Sequence, residues 1–210
     1  MIHADSGKLM NLSGPKVKIS RRLGVALTPK ASKYLERRPY APGQHGPTQR
    51  QGKQSNYKRQ LLEKQKLRAQ YNVSERQLRN YYRQATRIPG NTGAALLRLL
   101  ETRLDALVLR AGFARTIFAA RQYVRHGHVL VNGRRVSMPS RRVLPGEVVA
   151  IAEKSRTNPQ IMLAAQAAPR AAGYLEVNAE NMSAKLRELP EPEQIPVLCT
   201  VALVVEYYSR

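Results

Sequence analysis

Between Thr116 and Val136 the sequence changes from a helical to an extended pattern across one glycine, and that junction constrains the fold more than any other stretch. Residues 116–126 place Ile117, Ala120 and Val124 on one helical face and gather Phe118, Arg121, Gln122 and Arg125 on the opposite one. Gly127 ends the helix. His128-Val129-Leu130-Val131, Asn132-Gly133 and Arg134-Arg135-Val136 then spell a hairpin. A two-residue turn that follows the strand twist needs positive φ at both central positions, which Asn-Gly tolerates. Pro145-Gly146 makes a further turn into the apolar run Val148–Ile151. Residues 98–155 therefore predict a compact module of two helices on a small antiparallel sheet.

Upstream, Tyr57 to about Gln70 is rich in strong helix formers, with Leu61, Leu62 and Leu67 as its apolar contribution. Ser74 followed by Gln77 predicts a capping box; Leu78, Tyr81, Tyr82 and Ala85 mark the apolar side of that helix, and Pro89-Gly90 its stop. Leu96, Leu97, Leu100, Leu104 and Leu107 return at helical spacing up to Gly112, in one amphipathic helix or two short ones. Residues 1–56 show no sustained periodicity, so few packed elements are expected there and the segment reads as an extended basic arm shaped by a partner. Within it, RRPYAPGQHG at 37–46 reads as a rigid loop, because its prolines fix backbone angles and its glycines permit close approach of another chain. After Glu153, an Ala-rich helix, a strand at Tyr174–Val177 and a Pro/Glu-rich linker are expected. Val197–Tyr208, apolar on both faces, is expected as a buried final strand. The fold class is α+β: a helical N-terminal domain with an extended basic arm, its 57–97 part packing with the C-terminal segment 156–210, plus a small module whose sheet is mostly antiparallel.

Charge narrows what such a fold can do. Residues 1–150 carry 30 basic and 7 acidic side chains, residues 151–210 carry 6 and 7, and the whole chain has a formal charge of +22. Residues 111–146 contain no acid, whereas a merely solvated helix face would interleave Glu or Asp for pairing one turn away. Self-repulsion on this scale weakens a compact state unless a polyanion neutralises it. Nucleic acid is the favoured partner; no basic amphipathic anchor supports a membrane. Arginine forks suit phosphate, so Arg121, Gln122 and Arg125 are expected to form one contact surface with Arg134 and Arg135, and charge reversal at Arg121 with Arg125 is expected to spare the fold. Tyr40 and His45 suit stacking on unpaired bases or riboses, and Tyr40 equally suits packing against the protein's own helices.

Catalytic and metal chemistry find little support. Lone Cys199 cannot form an intramolecular disulfide, which suggests a reducing compartment. The absence of a signal-like N-terminus and of any apolar run near the roughly 20 residues of a membrane span suggests a soluble chain that is not exported. His126 and His128 straddle a glycine without a third ligand. There is no phosphate-binding glycine loop ending in Lys-Ser or Lys-Thr and no nucleophile elbow, and Glu101 and Asp105 are expected to pair with Arg98 or Arg103.

Several stretches in order resemble small-subunit ribosomal protein S four of the bacterial and organellar type. They are Gly14-Pro15-Lys16 with Ser20-Arg21-Arg22-Leu23-Gly24, the loop RRPYAPGQHG, Glu63-Lys64-Gln65-Lys66-Leu67-Arg68, Arg79-Asn80-Tyr81-Tyr82, Glu101-Thr102-Arg103-Leu104-Asp105, the run from Ala120 to Gly133, and the ending Val205-Glu206-Tyr207-Tyr208-Ser209. The resemblance implies a primary rRNA-binding protein without enzymatic activity. Such a protein nucleates assembly at a multi-helix junction of the 5′ domain, neighbours protein S five and protein S three, and lines the channel by which mRNA enters, contributing to fidelity. Its setting is the ribosome of the cytoplasm or of an organelle. The rRNA-contacting positions it implies are Arg21, Arg22, Arg37, Arg38, Tyr40, Gln44, His45, Tyr57, Lys64, Lys66, Arg68, Arg121, Gln122, Arg125, His126, Arg134 and Arg135. Arg50 and Lys53, after the loop, are expected on the mRNA path. Some members hold zinc with N-terminal cysteines; this chain has none there, so neither a metal nor any other cofactor or small-molecule substrate is implied. Residues 98–155 alone also resemble the module attached to pseudouridine synthases, a tyrosyl-tRNA synthetase and a heat-shock RNA-binding protein. An RNA-modifying enzyme and a general nucleic-acid coating protein stay open as alternatives.

Overall fold

A computed structural model describes residues 14–48, 55–167 and 172–210. The arm is not devoid of packed elements. It holds α1 (Lys16–Leu23) and α2 (Pro29–Arg37). Gly24, left-handed at φ 68, closes α1, and Thr28 opens α2 by accepting the Ala31 N–H ahead of a proline in the first turn. Leu23, Val25 and Leu27 then bury themselves against Ala69, with Leu62 and Phe118 at the edge. These helices were illegible because each contributes so few apolar residues; the core they complete belongs to other elements.

The helical body comprises α3 (Asn56–Gln70), α4 (Glu75–Ala85) and α5 (Thr92–Glu101). The capping box forms as expected, Ser74 Oγ accepting the Gln77 N–H while Gln77 accepts the Ser74 N–H. The leucine run resolves into two short helices, α5 and α6 (Leu104–Arg110). Next come α7 (Ile117–Arg125), β1 (Val129–Val131), β2 (Arg134–Arg135) and β3 (Val148–Ile151). The chain continues through α8 (Glu153–Arg156), α9 (Pro159–Gln166), β4 (Leu175–Asn178) and β5 (Ser183–Leu186), then a single 3-10 turn at Pro192–Gln194.

The five strands form one antiparallel sheet in the order β2-β1-β3-β5-β4. Pairing of Val129 with Ile151 and of Val131 with Val149 sets these side chains on the face that α6 and α7 cover, so Leu107, Val108, Ala120 and Val124 share a core with them. A separate core fills the helical body around Leu67, Leu78, Leu96, Leu100 and Val204.

Val204 belongs to α10 (Val201–Tyr208), which corrects the expectation of a buried final strand. Val201, Val204, Val205 and Tyr208 fall on one helical stripe packed on the helical body, while Ala202 is exposed and Glu206 accepts from Gln60 Nε2 of α3 at 3.0 Å. The β-branched composition suited a strand, but packing on a helical partner overrides such preferences. Among the described residues, no helix is long and apolar enough to cross a membrane.

Candidate nucleic-acid interface

The outer surface of the module is built by α7 and the hairpin. Ile117, Ala120 and Val124 are buried, and this rotation leaves Gln122, Arg125 and His126 exposed. Asn132 and Gly133 take φ of 49 and 77, the left-handed turn that sends Arg134 and Arg135 outward. Arg135 then crosses back over Gly127, and its Nη2 donates to the His126 carbonyl at 2.8 Å. A Cβ at Gly127 would lie 1.8 Å from Arg135 Nε and push that side chain aside, and the φ of 73 at this position itself favours glycine. The turn is thereby tied to the C-terminus of α7, which brings Arg125, His126 and Arg134 to one end of the module. The nearest following acid, Glu147, is engaged: Arg141 donates to it at 2.8 and 3.2 Å and the Leu144 N–H at 2.8 Å, and the bond to Arg141 holds its carboxyl below the usual range.

Arg121 does not join that surface. Its side chain is only 15% exposed, its Nη1 donates to the Asn72 carbonyl at 2.8 Å, and the same nitrogen lies 3.8 Å from Asp105 Oδ2. Burial lowers its guanidinium pKa, against the pull of Asp105. Helical periodicity placed Arg121 correctly away from the module's own core. The space it faces is filled by the turn between α3 and α4, so Arg121 fastens the module to the helical body.

Two buried carboxylates complete that junction. Arg103 grips Asp105 with two bonds, at 2.9 and 2.6 Å, and donates to the Tyr81 hydroxyl at 2.7 Å. Glu101 accepts from Tyr71 at 2.5 Å, Tyr174 at 2.6 Å and Arg110 at 2.5 Å, joining the helical body, α6 and the C-terminal strands in one network. Burial and the adjacent carboxylate push both phenols well up. Asp105 thus has the partner expected for it, whereas Glu101 pairs with Arg110 and Arg98 reaches Glu191 instead.

The PGQHG loop is held from beneath. Arg21 donates to the carbonyls of Arg38 at 3.2 Å and Tyr40 at 3.1 Å, and its guanidinium lies 5.1 Å from the Tyr40 ring centre. Arg21 is a clasp for the loop, leaving Arg22, Arg37, Arg38, Gln44 and His45 exposed. A Cβ at Gly46 would lie 1.9 Å from the Ala41 carbonyl oxygen, so this glycine serves a close approach within the loop itself.

Three candidates on α3 are spent internally. Lys64 is buried, 3.1 Å from Glu75 and 4.2 Å from the Tyr207 ring centre, Lys66 meets Glu63 at 2.7 Å, and Arg68 lies 3.6 Å from Glu75. The correction is physical: their carboxylates sit within reach on α3 and α4, and α10 roofs Lys64. Tyr57 remains exposed, its ring centre 6.0 Å from that of Tyr207. Arg50 and Lys53 lie outside the described residues. Among the described residues, no group of three His, Cys, Asp or Glu side chains converges to hold a metal; His128 Nδ1 instead hydrogen-bonds Ser155 Oγ at 2.9 Å. Sequence reasoning passed over the outer face of α4, where Arg76, Arg79 and Arg83 are exposed, and Arg87, exposed in the turn just beyond its end. Their spacing of three, four and four residues was the available signal.

Residues 11–101 match the family model for the ribosomal protein S4/S9 N-terminal domain, and residues 102–149 match the S4 domain. The small ribosomal subunit protein uS4 of Streptomyces avermitilis is 53% identical over 96% of this chain and 100% of its own length. The chain belongs to the uS4 family. The uS4 proteins of Micrococcus luteus, at 52% identity over 92% of this chain and 95% of theirs, and of Bifidobacterium animalis subsp. lactis, at 50% over 96% and 100%, agree. Members of the uS4 family are structural, non-enzymatic components of the ribosome. That sets aside the RNA-modifying alternative and supports a structural, RNA-binding role in the small subunit.

Proposed function

We propose that this uS4-family chain is a primary rRNA-binding protein, docking at a multi-helix junction of the 5′ domain early in small-subunit assembly. One observation carries the reading. The acid-free run 111–146 folds so that Arg125 and Arg134 reach the surface with no carboxylate partner among the described residues, beside the exposed His126. Such forks gain most from phosphate, and phosphate contacts fix a protein's register on RNA. The clasped loop adds His45 and Gln44 as donors and Tyr40 as a half-covered ring suited to an unpaired base. Arg22, Arg37, Arg38, Gln122 and Tyr57 extend the same role. Residues 98–155 serve as the RNA-binding module.

The finer partners follow from the same reading. Arg50 and Lys53 grip incoming mRNA weakly and without sequence preference, as two isolated cations in a Gln/Gly stretch suit a moving strand. Proteins S five and S three are the neighbours, and the cytoplasmic ribosome is the setting. Sedimentation of the native chain with small ribosomal subunits, against competing DNA, tests the function. Stable co-sedimentation resistant to DNA is expected. Displacement by DNA at equal nucleotide concentration would instead identify a general coating protein. Neutralising Arg50 with Lys53 is expected to leave assembly normal and to slow translation through structured mRNA.

A further inference from the structure

The hairpin turn is closed by a side chain as well as by its backbone. Asn132, exposed to water, takes φ 49 at the first central position, and Gly133 takes φ 77 at the second. The Asn132 N–H donates to the Val148 carbonyl at 2.9 Å, and its side-chain Oδ1 accepts the Val148 N–H at 2.9 Å. The carboxamide thereby completes a bracket around Val148 of the kind that paired strand residues make. Its other end, Nδ2, donates to Glu147 Oε1 at 3.4 Å. Glu147 is itself fixed by Arg141 and by the Leu144 N–H, each at 2.8 Å. Both ends of the amide are engaged, and the pair of contacts needs an amide: Val148 requires an acceptor and Glu147 a donor. Asn132 is also the only asparagine of the chain that precedes a glycine. With no Cβ in the way, a glycine nitrogen can approach the preceding side chain more closely than that of another residue.

We infer that Asn132-Gly133 is a self-modification site that the fold holds shut: a chain without its hairpin loses the Asn132 amide, and the product cannot rebuild the clamp. The Gly133 nitrogen gives up its proton to hydroxide and attacks Asn132 Cγ. The new C–N bond closes a cyclic imide as the bond from Cγ to Nδ2 breaks, and Nδ2 leaves as ammonia. Water then adds to either imide carbonyl and opens the ring. One opening leaves an aspartyl side chain; the other routes the main chain through Cβ and Cγ as an isoaspartyl link. Nothing is oxidised or reduced, and the net change is amide plus water to carboxylate plus ammonium. In the folded chain the carboxamide must first leave Val148 and Glu147, because ring closure needs it turned onto the Gly133 nitrogen. After the reaction the clamp is gone. An aspartyl oxygen stands where Nδ2 stood and faces Glu147 Oε1, two charged acceptors with no proton between them. The bond from Arg141 keeps Glu147 ionised. An isoaspartyl link lengthens a two-residue turn and moves Arg134 and Arg135 out of register with Val131 and Leu130. Either product brings the first carboxylate into the run 111–146. Time spent unfolded is thus written into the chain as a charge.

Trypsin, cutting after Arg125 and Arg134, releases residues 126–134, whose mass reports the change from amide to carboxylate and whose retention separates the isoaspartyl form. The native full chain is incubated in mildly alkaline buffer beside the same chain in urea and the free peptide spanning 126–134. The unfolded chain is expected to match the free peptide. The native chain is expected to react at least about tenfold more slowly, since two hydrogen bonds must open first. Glu147→Ala, which frees Nδ2, is expected to speed the native reaction severalfold, whereas Glu180→Ala, at an exposed acid between β4 and β5, is expected to leave it unchanged. Asn132→Asp supplies the aspartyl product directly. It is expected to lower the thermal midpoint, and to cost less in a Glu147→Gln background, where the facing charge is gone. A native chain that reacts as fast as the free peptide would overturn gating by the fold. A free peptide and an unfolded chain that both keep their amide would overturn the site. An Asn132→Asp chain as stable as the wild type, or one whose loss is the same beside Glu147→Gln, would mean that the product closes the turn after all and would overturn the mark. None of these readouts uses RNA, so each outcome leaves the rRNA-binding reading where it stands.

Discussion

Arg121→Glu separates a phosphate contact from a structural fastening. In the folded chain Arg121 donates to the buried Asn72 carbonyl at 2.8 Å and lies 3.8 Å from Asp105, itself fully buried. Removing the donor forfeits a hydrogen bond from a charged group, about 1.5–3 kcal/mol. Placing a carboxylate there also sets a second negative charge beside Asp105 and the carbonyl, which Arg103 alone must then balance. Breaking a buried charged arrangement in this way costs roughly 3–5 kcal/mol. Arg125→Glu, on the exposed face, is expected to shift stability by less than about 0.5 kcal/mol. Urea unfolding followed by circular dichroism and tyrosine fluorescence measures both. The salt slope of RNA binding supplies the second readout: Arg125→Gln should lower it by about 0.7–0.9, while Arg121→Gln should weaken binding without changing it. A stable Arg121→Glu protein with a reduced slope would refute the reasoning and return Arg121 to the RNA surface.

Gly133→Val forces a β-branched residue to φ 77 and is expected to cost roughly 1–3 kcal/mol in thermal unfolding, with Gly133→Asn much milder. Glu101→Gln leaves Arg110 buried without its counter-charge and is expected to be among the most destabilising single changes, about 3–5 kcal/mol by urea denaturation. Burial pushes the Cys199 thiol up to about 12, so iodoacetamide at pH 8 is expected to label the native chain far more slowly than the urea-unfolded one. The carboxyl of Glu147 is held below its unfolded value by Arg141, so its contribution is present above the ordinary carboxylate range and lost as pH falls through the lower folded value. Arg141→Gln is expected to flatten that part of the stability–pH curve.

Local grammar was read well where the reason for a residue lay within a few positions of it. The Ser74–Gln77 box, the Asn132-Gly133 turn and the Ile117/Ala120/Val124 face are all set by neighbours in sequence. Readings failed where the reason lay far away. Arg121 faces a turn 49 residues upstream, and periodicity cannot tell solvent from a second packed body. Lys64 looks like a basic residue on a basic helix until α10, some 140 positions on, covers it. In Val201–Tyr208 the composition argued for a strand while the spacing of Val201, Val204, Val205 and Tyr208 argued for a helix, and the spacing decided. The α4 arginines were legible by the same rule, since an i, i+3, i+7 stripe of one charge sign is visible without coordinates.

The return of α10 to the first half of the chain bears on biosynthesis. Leu96 and Leu100 share their core with Val204, so the helical body is complete only when residues 201–208 have been made. At bacterial elongation rates of 5–20 residues per second, the hundred intervening residues take about 5–20 seconds, during which α3 and α5 emerge without their final cover. A nascent chain cut short by a premature stop ahead of Val201 would keep the module and the loop. It would lose the lid over Lys64 and the Tyr208 bond to Glu75, exposing an apolar seam to quality-control proteases. Residues 201–208 thus vouch for a fold begun a hundred residues earlier.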